Sequence, residues 1–571
     1  MSARPTPWPR ADKELLPHTV EKLASQFPDL TYAEYPRNPT SFEDGYRTVT
    51  YREFNNAVNG FAWWIEKTIG RPKLDGGEET MVYMGPNDLR YPIFVLGSVK
   101  VGYKTLFPTP RYGAEALATL IGRVDGTIML APSSPLPIIQ EVAQKRPMKV
   151  YTVPSLETLL DTPSSPYPYT KTFSASKDDP LIVLHTSGTT GSPKPIIWTH
   201  DWAQSINEGF HLPSPPGYQS MEGLLLGSKT RLLTLMPHFH ASGFMGSLFM
   251  PLYTGTTTTL PPASILPSTA IAAAALPHIP GPVDIIASPP PYIEELGANP
   301  ALLTQISSKI KSAMWVGGDI SVTTGSTISA KMQLFDDLGS TEMGLWPILR
   351  PEGAWNAKGV QEFWHYFRPH PALGLEFEAV SSASSVGASS KPDEELYEGV
   401  IIRNRDSEWQ QPIFKVFTQA KEFRTGDLFT EHPSEKGLWK HYGRADDLLV
   451  FATGEKFHPG GVERRVGRVE GVKEVLMVGT RRIGGALIVK VEEGKGRVVK
   501  ERIWKVVEEE VNSTVPVYAR IERELLVVLE GGRPFEKTPK GSVKRRVVEE
   551  TYLEEVGKAY GQVEKRRNGE V

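Results

Sequence analysis

The sequence contains no cysteine, and this absence excludes disulfide bonds, thiol nucleophiles and cysteine-ligated zinc sites. It also lacks an excess of either charge, because 63 Lys and Arg residues face 66 Asp and Glu residues for a formal net charge of −3. A nucleic-acid-binding protein usually carries a basic excess. No apolar run has membrane-spanning length, and residues 1–16 lack the apolar centre of a signal peptide. We therefore expect a cytoplasmic protein that binds neither nucleic acid nor membranes.

The chain of 571 residues is longer than one hydrophobic core usually serves, so we expect two or more domains. In the first half, segments with strand character at 81–84 and 104–107 alternate with a helical pattern at 87–101. This alternation predicts α/β layers with parallel strands. Residues 474–529 alternate over a shorter stretch and predict a smaller α+β part. The pattern also predicts a helix over 300–312.

A loop rich in glycine and small hydroxylated residues follows an apolar segment at residues 181–184. The segment predicts a buried strand, and a loop of this composition can donate backbone and hydroxyl hydrogen bonds to phosphate oxygens. The spacing differs from the G-x-x-x-x-G-K-[ST] nucleotide loop, and a solvated hairpin loop is the alternative. The candidate phosphate-binding residues are Thr186, Ser187, Gly188, Thr189, Thr190, Gly191 and Lys194.

The segment Thr186-Ser-Gly-Thr-Thr-Gly-Ser-Pro-Lys194 resembles the phosphate loop of the adenylate-forming superfamily. That superfamily contains acyl-CoA synthetases, luciferases and the adenylation domains of nonribosomal peptide synthetases. The N-terminal half is most similar to fungal synthetase-like proteins of the carboxylate-reductase type. The resemblance implies a large multi-layer α/β domain over residues 1–445 and a small, hinged α+β domain over residues 446–571. It also implies that ATP and Mg²⁺ are the cofactors.

A second motif, Phe335-Asp-Asp-Leu-Gly-Ser-Thr-Glu342, also matches the superfamily. A carboxylate such as Glu342 suits Mg²⁺, which prefers oxygen ligands. The resemblance implies that Glu342 binds the metal and that Thr341 acts in catalysis at the α-phosphate. Leu338 stands where the superfamily usually has a tyrosine that stacks on adenine, so we expect weaker base affinity or aliphatic packing. The implied nucleotide-binding residues are Asp336, Leu338, Gly339 and Ser340.

The segment 237–244 reads Pro-His-Phe-His-Ala-Ser-Gly-Phe and is similar to the superfamily segment that lines the carboxylate pocket. The resemblance implies that His240 faces the reacting carboxylate and that a Gly-Gly turn at 317–318 separates adenine from substrate. Two histidines two positions apart can also bind a metal ion, but no third ligand follows nearby, so we discount that reading. The implied pocket residues are Phe239, His240, Phe244, Gly317 and Gly344, and the implied nucleotide contacts of the turn are Gly318 and Asp319.

Residues 232–262 contain no aspartate or glutamate. Relatives that activate amino acids usually place an aspartate in this region, where it pairs with the substrate α-ammonium group. A buried ammonium group without a partner is strongly unfavourable. We therefore expect an aryl, α-keto or aliphatic carboxylic acid without an α-amino group. A counter-ion from elsewhere in the fold is the alternative.

Two motifs surround the expected domain boundary. The segment Phe423-Arg-Thr-Gly-Asp427 is similar to the superfamily segment whose aspartate accepts both ribose hydroxyl groups, although an isolated Thr-Gly-Asp is a common turn. In Gly443-Arg-Ala-Asp446, the resemblance implies a ribose or phosphate contact for Arg444. It also implies that Asp446 is the hinge of a mobile C-terminal domain.

The final motif departs from the superfamily. Its members have a lysine that reaches the reacting carboxylate, and this chain has Ser542 at that position. Lys540 is the candidate replacement and Lys544 the alternative, because a long lysine side chain can compensate for a shift of two residues. In a third interpretation, all the nearby lysines are solvated surface charges, and adenylation is slow.

The motifs together predict an enzyme that adenylates a small carboxylic acid and passes the acyl group to a thiol. The acceptor is CoA or the phosphopantetheine of a carrier protein, in cis or in trans. After the last motif only a charged, helix-like tail follows, over residues 551–571. We expect CoA or a separate carrier if the chain is complete, and a carrier in cis if the chain is an excised domain. A family member that binds nucleotide without turnover is the non-enzymatic alternative.

Overall fold

We analysed a computed structural model of the chain. The described residues are 8–73, 78–186, 193–220, 222–223, 227, 229–352, 363–380, 395–452, 455–532, 534–537 and 543–567. Within these ranges, no helix is long and apolar enough to cross a membrane.

The chain divides into two compact units. The first unit comprises Met1–Leu375 and Ile401–Phe423, and the second comprises Glu376–Val400 and Arg424–Val571. The sequence-based boundary between residues 445 and 446 stays a prediction.

The first unit contains a seven-stranded sheet in which all neighbouring pairs are parallel except the last. Apolar strands that are buried on both faces are typical of such parallel sheets. The strands in spatial order are Gln333–Asp336, Ser312–Trp315, Ile285–Ser288, Arg231–Thr234, Thr257–Thr259, Thr31–Asn38 and Ser41–Thr50.

A six-stranded sheet forms the second layer of the first unit. Its strands are parallel except for the final pair, which is antiparallel. This arrangement confirms the predicted α/β alternation with parallel strands. The strands in spatial order are Lys149–Thr152, Ile128–Ala131, Thr80–Tyr83, Lys104–Leu106, Pro180–Thr186 and Lys194–Thr199.

Helices and short strands complete the first unit. The α-helices are Leu16–Gln26, Tyr51–Thr68, Arg90–Val101, Ala114–Gly122, Pro137–Lys145, Leu156–Asp161, Phe173–Ser176, His200–Phe210, Ala241–Phe244, Met250–Thr254, Thr269–Ala275, Pro290–Ala298, Pro300–Ser307, Val322–Ser329 and Ile413–Val416. A π-helix, Met245–Phe249, joins two of them. The short strands are Tyr218–Ser220, Gly339–Ser340, Gly344–Leu345, Ile348–Pro351 and Arg368–Pro369.

The second unit is an α+β structure with its own core. It contains most of a four-stranded sheet, a two-stranded pair and a three-stranded sheet. Its buried residues include Leu476, Ile488, Ile503 and Val563. The strands are Leu375–Ala379, Tyr397–Ile402, Glu422–Glu431, Trp439–Arg444, Leu449–Val450, Lys456–Phe457, Val472–Val478, Gly485–Val491 and Ile521–Glu530, and the helices are Gly460–Val466, Gly496–Val506, Val507–Val511 (π), Arg545–Thr551 and Leu553–Arg567.

Candidate active site

The phosphate-loop motif lies at the tip of an antiparallel hairpin in the first unit. The strands Pro180–Thr186 and Lys194–Thr199 flank it, and Thr186 and Lys194 are direct cross-strand partners. Arg123 donates a hydrogen bond of 2.7 Å to the carbonyl oxygen of Pro193, immediately before the second strand. The candidates Ser187, Gly188, Thr189, Thr190 and Gly191 lie outside the described residues. The hairpin therefore brings the first and last residues of the motif together.

Three other motifs of the first unit follow parallel strands of the seven-stranded sheet. Thr234 pairs with Ala287, Ser288 with Trp315, and Trp315 with Asp336, so these strands end at one edge of the sheet. Segments that leave this edge carry His240, the turn at 317–319 and residues 337–342 of the motif that begins at Phe335. In open parallel sheets, ligands bind beyond the carboxyl ends of the strands. The fold thus collects these motifs at the edge where a ligand is expected.

The turn at 317–319 requires glycine. Gly317 and Gly318 have φ angles of +101° and +154°, which residues with a Cβ rarely adopt. The indole N–H of Trp315 donates a hydrogen bond of 3.1 Å to the carbonyl oxygen of Gly318. Gly317, Gly318 and Asp319 are all exposed. The turn is therefore both fixed by the preceding strand and accessible.

The residues Thr341, Glu342 and Met343 form the tip of a two-stranded hairpin. Its strands, Gly339–Ser340 and Gly344–Leu345, pair with Gly339 opposite Leu345 and Ser340 opposite Gly344. A Cβ at Gly339 would lie 2.5 Å from the carbonyl oxygen of Gly344, so only glycine fits there. Thr341 and Glu342 are half-buried. The hairpin presents a hydroxyl group and a carboxylate on adjacent residues.

Aromatic rings contact one another in and around the segment 237–244. Phe244 is fully buried with its ring centroid 5.0 Å from that of Phe107. Phe239 and His240 are half-buried, with ring centroids 4.8 Å apart. Phe239 and His240 are consecutive in the chain, so their proximity is local, whereas the packing of Phe244 on Phe107 joins distant segments.

His238 is a buried neighbour that sequence reasoning did not assign. Asn87 Oδ1 lies 2.7 Å from His238 Nδ1 and also accepts a hydrogen bond of 2.6 Å from the His238 backbone N–H. Burial lowers the pKa of His238 to about 4, so the ring is neutral near pH 7. Asn87 lies in the connection between the strand Thr80–Tyr83 of the other sheet and the helix Arg90–Val101, and its contact with the motif is invisible in sequence. The described ranges contain no cluster of three or more His, Asp or Glu side chains suited to hold a metal ion.

Two buried acidic groups interact at the motif 335–342: Asp337, which belongs to it, and Glu222. Burial raises the pKa of Asp337 well above its ordinary range, and the charges of Glu222 and Asp336 add to the effect. Burial also raises the pKa of Glu222 to about 8. The Glu222 carboxyl group is therefore protonated near neutral pH. Sequence reasoning missed this feature, because nothing local marks either residue as buried.

In the second unit, the three candidates around the expected hinge form one network. Arg444 donates a hydrogen bond of 2.9 Å to Asp427 and one of 3.1 Å to Asp446. His441 Nε2 lies 3.5 Å from the same oxygen of Asp427. Burial alone would raise the pKa of Asp427, but the hydrogen bonds and charges of His441 and Arg444 outweigh it and lower the pKa. Asp427 is therefore an ionised acceptor.

The lysines near the C terminus differ in their surroundings. Lys537 forms an ion pair of 2.7 Å with Glu474, and Lys544 forms one with Glu536. Lys540 lies outside the described residues. Two of the nearby lysines are thus already held by glutamates of the second unit.

Comparison with known proteins gives relatives over nearly the whole chain. An isocyanide synthase–NRPS hybrid of Aspergillus fumigatus is 30% identical over 96% of this chain and 33% of that protein. A carboxylic acid reductase of Neurospora crassa is 29% identical over 98% of this chain and 51% of that protein. An adenylate-forming reductase of Heterobasidion annosum is 26% identical over 90% of this chain and 47% of that protein. The chain thus spans a third to a half of the length of these relatives.

Solved structures with the same fold include CoA ligases. An anthranilate CoA ligase in complex with anthranoyl-AMP matches with a TM-score of 0.66 at 17% identity, over 94% of this chain and 97% of that chain. A benzoate CoA ligase from Burkholderia xenovorans matches with a TM-score of 0.64 at 16% identity, over 94% of this chain and 99% of that chain. These matches confirm the predicted adenylate-forming fold.

Family models agree with the motifs. A model described as AMP-binding enzyme matches residues 20–362, and one described as AMP-binding enzyme C-terminal domain matches residues 446–564. The first match alone covers more than half of the chain and includes the phosphate loop and Glu342. The chain therefore belongs to the AMP-binding enzymes, the adenylate-forming superfamily that its phosphate loop resembles.

Proposed function

We propose that the protein activates a carboxylic acid with ATP. A carboxylate oxygen of the acid attacks the α-phosphorus, a new O–P bond forms, and the bond to the β-phosphate oxygen breaks. Pyrophosphate leaves with the electron pair of that bond, and the product is a mixed acyl–AMP anhydride. The developing charge on the phosphate oxygens would be stabilised by preorganised donors and, when bound, by Mg²⁺.

One observation carries this proposal: the segments with His240, the Gly317–Gly318 turn and Glu342 all follow strands that end at one sheet edge. Each of these three features alone is also compatible with a purely structural role. Their convergence at the edge where open parallel sheets bind ligands favours the functional one. We assign His240 to the substrate carboxylate and Thr341 to the α-phosphate.

The residues present fit a magnesium ion that is shared with phosphate. Mg²⁺ is usually held by one or two carboxylates together with substrate phosphates, rather than by an all-protein cage. Glu342 supplies one half-buried carboxylate at a hairpin tip. When bound there, the ion would neutralise phosphate charge. The phosphate loop between Thr186 and Lys194 would supply the remaining donors.

For the nucleotide, we assign the ribose hydroxyl groups to Asp427, which the Arg444 and His441 contacts keep ionised. For the catalytic lysine, we assign Lys540. Its alternative, Lys544, already forms an ion pair with Glu536 and would have to break it to act. The assignment of Asp446 as the hinge of a C-terminal domain starting there rests on the sequence resemblance.

We propose that the acid lacks an α-amino group. The segment 232–262 has no carboxylate, and burial raises the pKa of Glu222 to about 8, which leaves that carboxyl group neutral near pH 7. A neutral carboxyl group does not balance the charge of an ammonium group. Aryl, α-keto and aliphatic acids remain as the substrate classes.

We further propose that a thiol accepts the acyl group. CoA and the phosphopantetheine of a carrier protein, in cis or in trans, share this chemistry. The structural neighbours include CoA ligases, whereas the longer relatives include carboxylic acid reductases. A second candidate function is nucleotide binding without turnover, which Leu338 and the displaced lysine favour.

The experiment is to trap the acyl–AMP anhydride with hydroxylamine. The protein is incubated with ATP, Mg²⁺ and single acids from an aryl, α-keto, aliphatic and amino-acid panel, and hydroxamates are detected by mass spectrometry. We expect a hydroxamate from a non-amino acid. CoA and a phosphopantetheine-bearing carrier then compete with hydroxylamine to identify the acceptor. ATP binding without any hydroxamate would favour the non-catalytic candidate.

A further inference from the structure

Two buried tryptophans connect the phosphate-loop hairpin with the Glu342 hairpin. Trp198 lies in the strand Lys194–Thr199, and Trp202 lies in the following helix, His200–Phe210. Both are fully buried, and their rings stack with centroids 3.9 Å apart and planes inclined by 10°. Neither residue belongs to a motif that the sequence singled out.

The two indole N–H groups point at consecutive carbonyl oxygens. Trp198 Nε1 donates to the carbonyl oxygen of Thr341 at 2.7 Å, and Trp202 Nε1 donates to that of Glu342 at 3.1 Å. An indole N–H can only donate, and a buried one needs an acceptor. Each hydrogen bond therefore satisfies a buried donor and restrains one peptide of the hairpin tip.

These restraints act on the residues that matter for the reaction. Fixing two successive carbonyl groups limits rotation of the peptides on both sides of Glu342. Trp202 also packs on the far strand of the hairpin, since a Cβ at Gly344 would lie 3.2 Å from its Cζ2 atom. Trp198 is four residues from Lys194 on one strand. The stacked pair thus ties the end of the phosphate loop to the predicted metal ligand.

We propose that Trp198 and Trp202 are positioning residues that hold Thr341 and Glu342 in the orientation required for the α-phosphate and its Mg²⁺. This inference rests on the proposed function, because it takes the roles of Thr341 and Glu342 from there. Because both tryptophans are fully buried, we expect the pair to act through the backbone of the hairpin. Its effect is therefore expected in the metal dependence more than in binding of the acid.

The experiment uses Trp198→Phe and Trp202→Phe, which keep an aromatic ring and remove the N–H donor. The control is Trp63→Phe, which removes an indole hydrogen bond of 3.0 Å to Ser165 in the same unit, far along the chain from these motifs. Hydroxamate formation is measured against Mg²⁺ concentration. Amide hydrogen exchange of the peptide covering residues 339–346 is measured without ligand.

We expect each site variant to raise the Mg²⁺ concentration for half-maximal rate by about three- to tenfold, the effect of one hydrogen bond. The Michaelis constant for the acid should change less than twofold. Exchange of the hairpin peptide should accelerate by a similar factor of about three to ten, while Trp63→Phe leaves both measurements unchanged.

Two results would overturn the positioning role. One is unchanged exchange and unchanged Mg²⁺ dependence in both site variants. The other is faster exchange throughout the first unit, which would make the pair merely structural. If the wild type forms no hydroxamate from any acid, the proposed function fails, and the hairpin exchange alone then decides whether the tryptophans restrain this loop.

Discussion

At the residue scale, two buried histidines make the first unit sensitive to acid. His200 and His238 are both fully buried, and burial lowers the pKa of each to about 4 from 6.5. Between these two pH values the unfolded chain binds protons that the folded chain does not. The free energy of unfolding therefore falls as the pH drops through this window and is fully retained above it.

We expect His200→Gln to weaken this acid sensitivity. The shift in pKa corresponds to roughly 3 kcal/mol of stability lost by pH 4, which a non-titrating residue would not lose. Urea unfolding, followed by tryptophan fluorescence at several pH values between 4 and 7, measures how the free energy of unfolding changes with pH. The control is His278→Gln, which replaces a half-buried histidine. An equal pH slope in wild type and His200→Gln would contradict this account.

The second residue-scale prediction concerns Asp427. Its ionised carboxylate can accept hydrogen bonds from ribose hydroxyl groups, and hydrogen bonds to a charged group contribute about 1.5–3 kcal/mol each. We expect Asp427→Asn to weaken ATP binding about tenfold or more in calorimetry. Glu431→Gln, at the end of the same strand, is the matched control and should bind ATP as the wild type does. Equal affinities for all three proteins would remove Asp427 from the ribose site.

At the element scale, the hairpin at 339–345 depends on its glycines. Gly344 has a φ angle of +73°, and a Cβ there would lie 2.5 Å from the Cδ1 atom of Ile206. A side chain at this position meets both backbone strain and overpacking. The hairpin that carries Glu342 is thus shaped by local backbone chemistry as well as by its tryptophan contacts.

We expect Gly344→Ala to destabilise the first unit by about 2–5 kcal/mol, from strain of about 1–2 and overpacking of about 1–3 kcal/mol. Adenylation should fall with it. The matched control is Gly209→Ala in the helix His200–Phe210, where a Cβ meets nothing within 4 Å. That change should be neutral or slightly stabilising. The measurement is the denaturant midpoint of unfolding for each of the two variants. Equal midpoints would refute the packing argument.

The sequence predicted the type of a secondary-structure element where the spacing of its apolar residues was regular. The expected strands at 81–84 and 104–107 are observed as Thr80–Tyr83 and Lys104–Leu106. The helix expected over 300–312 is observed only as Pro300–Ser307, and that prediction was wrong at its C-terminal end. Ser312 begins a buried strand that pairs with Ile285–Ser288. Sheet pairing across the chain, which local periodicity does not report, ended the helix early.

The candidate site was predictable only in part. Motifs located Thr186, Lys194 and Glu342, because each lies within a run of characteristic residues. The hydrogen bonds from Trp198 and Trp202 span more than a hundred residues of sequence, so no local pattern reveals them. The burial of Asp337 depends equally on the assembled sheet.

At the scale of the whole molecule, the two units have separate cores. Arg545 links separate segments of the second unit. It donates hydrogen bonds of 2.8 and 3.1 Å to the two carboxylate oxygens of Glu463 and one of 2.7 Å to the carbonyl oxygen of Met477. Removing one partner of a largely buried ion pair leaves an uncompensated charge. The Arg545–Glu463 pair therefore stabilises the second unit, to which both residues belong.

We expect calorimetry to resolve two unfolding transitions. Arg545→Ala should lower the midpoint temperature of one transition and leave the other unchanged. The expected loss in the unfolding free energy of the second unit is about 3–5 kcal/mol. Arg546→Ala is the control, because Arg546 is exposed and pairs only with Glu550 among the described contacts. A single transition that moves as a whole in Arg545→Ala would contradict independent cores.

The measurement that tests the central claim most directly is acid-dependent ATP–pyrophosphate exchange. Wild type, Lys540→Ala and Lys544→Ala are compared over the acid panel. We predict exchange with a non-amino carboxylic acid in the wild type, near-normal exchange in Lys544→Ala, and loss in Lys540→Ala. An α-amino acid as best substrate would contradict the pocket argument, and the absence of exchange with every acid would contradict adenylation itself.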